Sequence, residues 1–328
     1  MLRDFLEPAQ LAWRKDEQAK DPKVKDWISQ ASADYAFNES GWDIAVMGVP
    51  LSRSSISVSG ASEFPEAFRR AWGGFSTYNL DYGTELARMK VLDVGNVKMH
   101  FTDIAKSHEK ITQAMKSLRV ELPDAFPVSI GGDHSVTARL ISGLKAAHPD
   151  KEIGVLQFDT HLDLRDIADH GPTNGTPIRF LIENGVIKGS NVFNIGLHGF
   201  FNGQTLLSYA KEHGVNCITL REARRKGIAE TVQKAVAELS SRVDCIYVTV
   251  DMDVLDIAFA QGVPASTPGG MASHELFEAV YEAGLSEKVV AMDIVCLDPT
   301  KDTPAQATVK TGVYTFLTFL TGLRNRGS

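Results

Sequence analysis

Gln157-Phe158-Asp159-Thr160-His161-Leu162-Asp163-Leu164-Arg165-Asp166 comes directly after the apolar run Ile153 to Leu156 and sets two carboxylates and an imidazole at every second position. In an extended segment alternate side chains point the same way, so Asp159, His161 and Asp163 are expected to converge at the end of a buried strand. Negative charge crowded there is costly unless a cation sits among it, which makes the stretch half of a metal site. Read alone, the same residues also fit a solvated turn whose Asp side chains cap a helix. Two further stretches decide between these readings.

The first is Phe126-Pro127-Val128-Ser129-Ile130, a strand-like run that leads straight into Gly131-Gly132-Asp133-His134-Ser135. Glycines let the backbone turn tightly and expose the next residues, which places His134 at a strand-to-helix junction on the same edge as Asp159. The second is Cys245 to Val250, the most strand-like run in the chain, which ends in Asp251-Met252-Asp253. Three strand ends thus offer His134, then Asp159, His161 and Asp163, then Asp251 and Asp253. One cation cannot use four carboxylates and two imidazoles and still leave room for a substrate, whereas two cations with shared carboxylates can. Hard oxygen donors with imidazole and no thiolate suit manganese, with nickel, cobalt or zinc as substitutes. A metal pair about 3.5 to 4 Å apart makes hydroxide available near neutral pH, so hydrolysis is the expected chemistry.

Around these stretches, apolar runs alternate with helical patterns. Runs at Asp43 to Pro50, Val91 to Gly95, Val192 to Leu197, Val215 to Leu220 and Val289 to Val295 read as further strands. Phe64 to Trp72, Ile104 to Leu118, Gln204 to Glu212 and Ala223 to Leu239 read as helices, and a final helix is expected to open on a capping box, Thr303-Pro304-Ala305-Gln306. Such alternation means βαβ units and a parallel sheet. Residues 1 to 42, polar and mixed in charge, are expected to form an N-terminal arm on the outside of a single catalytic domain spanning residues 43 to 328. The Ser-rich loop Leu51 to Gly60, with Arg53, comes after the first buried strand and suits a pocket wall at the carboxyl edge of the sheet.

A net charge of -7 argues against a nucleic-acid binder, because such proteins need a basic surface, and leaves a small-molecule substrate as the expected partner. The charged N-terminus lacks a signal-peptide core and no run is long enough to span a bilayer, so no membrane partner and a cytoplasmic location are expected. Cys217, Cys245 and Cys296 are widely spaced and odd in number, which fits reduced thiols.

Gly-Gly-Asp-His-Ser, Asp-x-His-x-Asp and Asp-x-Asp, in this order, resemble the ureohydrolase family of arginases, agmatinases and formimidoylglutamases over roughly residues 43 to 325. The resemblance implies the three-layer α/β/α arginase fold with a parallel sheet of about eight strands, which the alternation of elements also supports. It implies that His134, Asp159, Asp163 and Asp251 hold one metal and Asp159, His161, Asp251 and Asp253 the other, with Asp159 and Asp251 bridging two Mn2+ ions. His161 and Asp163 are then the candidate catalytic residues, Asp163 as proton shuttle. Family members often form hexamers or other symmetric assemblies, which implies a homo-oligomer.

Within the family, His161 to Arg165, Gly171 to Pro177, Val250 to Asp256, Gly48 to Ser52 and Gly60 to Ser62 are similar to bacterial formimidoylglutamases, which hydrolyse N-formimidoyl-L-glutamate in histidine breakdown. Arg53, Arg165 and Arg179 are candidate partners for the substrate's two carboxylates, since guanidinium forks bind carboxylates bidentately. Asn174 stands where arginases carry a histidine that assists proton transfer. Cys296-Leu297-Asp298-Pro299 stands where relatives carry Glu-Val-Asn/Asp-Pro, so the usual anchor for a cationic amidine is missing. That departure opens two alternatives: a different guanidino or neutral amide substrate, or an inactive metal-binding homologue with a structural role.

Overall fold

The apolar runs become strands because their side chains are largely covered on both faces, the half-exposed edge strand at Asn216–Thr219 being the exception. In chain order the strands are β1 (Leu6–Glu7), β2 (Ser29–Gln30), β3 (Ile44–Val49), β4 (Tyr78–Asn79), β5 (Thr84–Glu85), β6 (Val91–Val97), β7 (Phe126–Gly131), β8 (Ile153–Phe158), β9 (Val192–Leu197), β10 (Asn216–Thr219), β11 (Cys245–Asp251) and β12 (Val289–Val295). The computed structural model describes residues 1–35, 37 and 41–327, and for His170 the backbone alone. The expected arm at 1 to 42 and domain at 43 to 328 therefore each include positions outside the described residues.

Ten strands form one sheet in the order β1-β6-β3-β7-β12-β11-β8-β9-β10, with β2 also on β6, while β4 and β5 make a separate hairpin. All eight expected strands are present and parallel. The sheet is mixed, however, because β1 runs antiparallel to β6. These extra edge strands come from the first thirty residues, whose Leu2, Val24 and Ile28 are buried. Two-residue strands carry no periodicity, so only pairing with β6 reveals them.

Alternate residues of each strand feed two cores. Ile44 and Val46 of β3 join Phe64, Phe68, Val232, Leu276 and Phe316 on one face. Ala45, Met47 and Val49 join Ile111, Met115, Leu140, Ile141 and Leu181 on the other, which completes three layers.

Two helices depart from expectation. The helix expected over Ala223 to Leu239 is broken at Gly227, whose φ of 93° ends Leu220–Lys226 and starts Ile228–Ser240. The last helix runs Ala307–Arg324, and the expected capping box does not form. Asp302 reaches in from before the box, and its carboxylate accepts the Thr308 and Val309 amides at 3.0 and 2.9 Å. An ionised side chain satisfies two orphan amides and complements the helix dipole, and so displaces the neutral box.

His108 of helix Ile104–Glu121 ties this layer to the functional edge. It is buried, and its Nε2 lies 3.0 Å from the Ser135 hydroxyl. Burial, with the Arg139 charge adding to it, lowers its pKa from 6.5 to about 3. The folded state thus binds fewer protons here than the unfolded chain. This contribution to stability is intact above pH 6.5 and is lost as pH falls from 6.5 towards 3. Urea midpoints measured between pH 7 and 4 are expected to fall less steeply for His108→Gln than for the natural protein. Equal slopes would remove His108 from the acid response.

Candidate metal centre

The parallel strands β7, β12, β11 and β8 lie side by side, so their carboxyl ends deliver loops to one patch of the sheet edge. β8 is separated from β7, its predecessor in the chain, by β12 and β11. This is how segments a hundred residues apart come to share a site, at the kind of crevice where open α/β sheets bind ligands.

After β7 the backbone turns at Gly132, whose α-carbon lies against the chain of Leu51. Asp133 donates its amide to the Leu51 carbonyl at 2.7 Å, and its carboxylate accepts the amides of Ser54 (3.0 Å) and Ser135 (3.1 Å). Burial lifts its pKa from 3.8 to about 6 against those bonds. Asp133 thus fixes the turn and the Ser-rich loop, and His134 stands on a rigid base.

His134 Nδ1 is 2.7 Å from Asp163, 3.1 Å from Asp251 and 3.2 Å from Asp159, and it is buried without a well-aligned hydrogen bond among the described residues. His161 Nδ1 is 3.0 Å from Asp253 and 3.5 Å from Asp159. Two groups able to hold an ion result, His134 with Asp159 and Asp163, and Asp159 with His161 and Asp253, and they share Asp159. Neighbouring donors around an ion with bonds near 2.1 Å lie about 3 Å apart. The spacing, the orphaned imidazole nitrogen and the oxygen-rich donor set all fit a pair of divalent ions such as manganese.

Electrostatics point the same way. Burial, reinforced by the Asp159 charge, raises Asp163 to about 7. Burial and Asp251 raise Asp253 well above the carboxylate range. Burial opposes charge on His161, but Asp253 and Asp159 outweigh it and push the imidazole up to about 12. The cluster thus retains protons in the absence of ions, and metal binding must release them.

The local path differs from simple extension. Strand β8 ends at Phe158, Asp159 Oδ1 accepts the His161 amide at 2.5 Å, and Asp163 takes φ 55°. The turn sends Asp163 to one group and His161 to the other, with Asp159 between them.

Several supporting residues carry no signal that the sequence reading used. His134 Nε2 pairs with Thr249 Oγ1 at 3.1 Å, and Thr249, Thr137 and Tyr247 donate to the buried carboxylate of Asp293 at 2.5, 2.8 and 2.9 Å. Fixing Nε2 leaves Nδ1 to face the cluster. Gln157 donates to Asp159 at 2.6 Å, and Asn202 spans the turn by donating to the Thr160 carbonyl and accepting the Leu162 amide. Asp293 interrupts an apolar strand, a signal that could have marked it.

The remaining candidates separate. Arg165 and Asn174 line a cleft floored by His161, Asp163, Asp251 and Asp253. The Arg165 side chain makes no hydrogen bond or ion pair among the described residues. Asn174 Oδ1 accepts the Ile56 amide at 2.8 Å and so pins the Ser-rich loop over the cleft. Arg179 points elsewhere: it is paired with Asp166 and Glu183 at 2.7 Å and stacked on Tyr209. Arg53 is turned to the carbonyls of His100 and Phe101. Cys296, at φ 60°, is buried behind the ligands. Burial first, then Asp251 and Asp253, hold its thiol neutral, which removes it as a nucleophile.

A three-layer α/β/α sheet whose carboxyl edge gathers imidazoles and carboxylates for two ions defines the ureohydrolase class. The chain belongs to the arginase family, whose profile matches residues 42–321. Among similar proteins, a formimidoylglutamase of Halalkalibacterium halodurans is 41% identical over 84% of this chain and 86% of that protein. The crystal structure of formimidoylglutamase from Bacillus subtilis superposes with a TM-score of 0.89 at 36% identity, covering 99% of this chain and 98% of that one. A Trypanosoma cruzi formiminoglutamase solved with Mn2+ gives 0.83 at 25% identity, over 94% of this chain and 100% of that one.

Proposed function

We propose that the chain hydrolyses N-formimidoyl-L-glutamate to L-glutamate and formamide. The carrying observation is the double ligand group sharing Asp159, in a chain 41% identical to a formimidoylglutamase. His134, Asp159, Asp163 and Asp251 would hold one manganese ion, and Asp159, His161, Asp251 and Asp253 the second. When bound, such a pair supplies activated water and electrophilic assistance.

The chain's own residues do the rest. Arg165, a free guanidinium at the cleft, takes a substrate carboxylate and holds the substrate in the cleft. Asn174 holds the loop that closes that wall. The bond between the amidine carbon and the glutamate nitrogen breaks, the carbon takes the water oxygen, and Asp163 passes a proton to the departing amine.

Manganese-loaded protein is expected to release glutamate from N-formimidoyl-L-glutamate and to leave agmatine and arginine unchanged. Arg165→Ala is expected to raise KM at least about tenfold with little change in kcat, the signature of lost uniform binding. Absence of turnover with two ions bound per chain would reject the assignment and direct attention to substrates without the positive charge that a glutamate usually meets at the Cys296 position.

A further inference from the structure

The edge of the sheet opposite the metal centre carries a second concavity, at the amino ends of β3, β7 and β12. Ile44, Phe126 and Val289 open these strands and contribute to a cavity of about 580 Å3. Four arginines face it: Arg88, Arg119, Arg324 and Arg326. Asp43, Asp124 and Glu287 share the lining, but no carboxylate among the described residues comes within 4.0 Å of any of the four guanidinium groups.

Two of the cations are partly buried and are held only by neutral groups. Arg119 donates to the carbonyls of Ala125 and Pro123, both at 2.6 Å. Arg326 donates to those of Gly284 and Val289, both at 2.9 Å, and lies 5.8 Å from the Phe126 ring centroid. Burial lowers both, Arg326 to about 10, and the nearby Glu287 and Asp124 offset this only partly. Arg88 and Arg324 are exposed, and their side chains make no hydrogen bond or ion pair among the described residues. Cations withdrawn from water without a carboxylate partner are costly unless an anion joins them.

We infer that this cavity binds a small organic anion bearing two or more carboxylate or phosphate groups. The fixed pair Arg119 and Arg326 forms the floor, Arg88 and Arg324 close on the outer anionic groups, and the Phe126 ring with Val289 and Leu323 accepts the carbon body. Guanidinium groups suit these anions because their planar forks bind paired oxygens, and the volume lies within the usual range for small-ligand sites. Nothing in this inference depends on the reaction at the other edge.

The test is calorimetric titration of manganese-loaded protein with tricarballylate and, separately, with inorganic phosphate. At least one is expected to bind saturably, one per chain, with a Kd below about 1 mM, and the stronger of the two identifies carboxylate or phosphate as the preferred group. Arg88→Ser with Arg324→Ser is expected to weaken binding at least about tenfold while melting temperature and turnover stay unchanged. Tricarballylate could also enter the cleft, so its binding must survive Arg165→Ala. Absence of saturable binding by both probes, binding that ignores the double replacement, or binding lost with Arg165→Ala would overturn the inference.

Discussion

Asp159→Asn is expected to lower kcat on the order of a thousandfold and to reduce bound manganese below two ions per chain. Asp159 belongs to both ion-holding groups, and it lies 3.2 Å from His134 and 3.5 Å from His161. An amide cannot bridge two cations as a carboxylate does, because it is neutral and one of its two heavy atoms is a donor. Binding to the folded state alone stabilises a protein, so chelation should lower the melting temperature of the natural chain more than that of the variant. Metal analysis, turnover and melting with and without chelator test this together. A variant that keeps two ions and turns over within about tenfold of the natural rate would show that Asp159 does not bridge.

Gly132→Ala is expected to destabilise the fold by more than about 4 kcal/mol, the range reserved for a specific steric or polar failure. A β-carbon built on Gly132 would overlap the Leu51 carbonyl oxygen and lie 2.7 Å from the Leu51 nitrogen. Both contacts are backbone atoms, so no side-chain rotation relieves them. The Asp133 amide bond to Leu51 would break first, and His134 would leave Nδ1 misplaced against Asp163 and Asp251. Denaturant unfolding should therefore show lost stability, and whatever variant folds should bind manganese weakly. A Gly132→Ala protein of natural stability would mean that the two loops can separate without cost.

Both variants act where chain-distant loops meet, and the same distinction separates what could be read in advance from what could not. Each of the eight expected strands announced itself as an apolar run, seven of them because a strand covered on both faces is largely apolar along its length, while β10 is a half-exposed edge strand. The six ligand candidates were legible for a related reason. Asp159, His161, Asp163, Asp251 and Asp253 sit at the ends of buried strands where unpaired carboxylates have no structural use, and His134 comes just after a glycine pair.

Where several residues of one type were candidates, local sequence could not rank them. Arg165 and Arg179 lie only fourteen positions apart. Only the packed structure gives Arg179 to Asp166, Glu183 and Tyr209 and leaves Arg165 facing the cleft. Arg53 is decided in the same way by the carbonyls of a loop nearly fifty residues on. The cap of the last helix passed to Asp302 because a charged side chain competes better for two amides than a neutral box does.

Composition along the chain was enough for the eight expected strands, their parallel class and the residues able to hold two ions, since burial and charge are local properties. The tertiary structure alone decided the sheet order that puts β12 between β7 and β11, and with it the support of His134 through Thr249 by Asp293. It also decided which arginine stays free and how the first thirty residues close the sheet edge. Those outcomes depend on contacts between segments far apart in the chain, and pairwise geometry of that kind has no local signature.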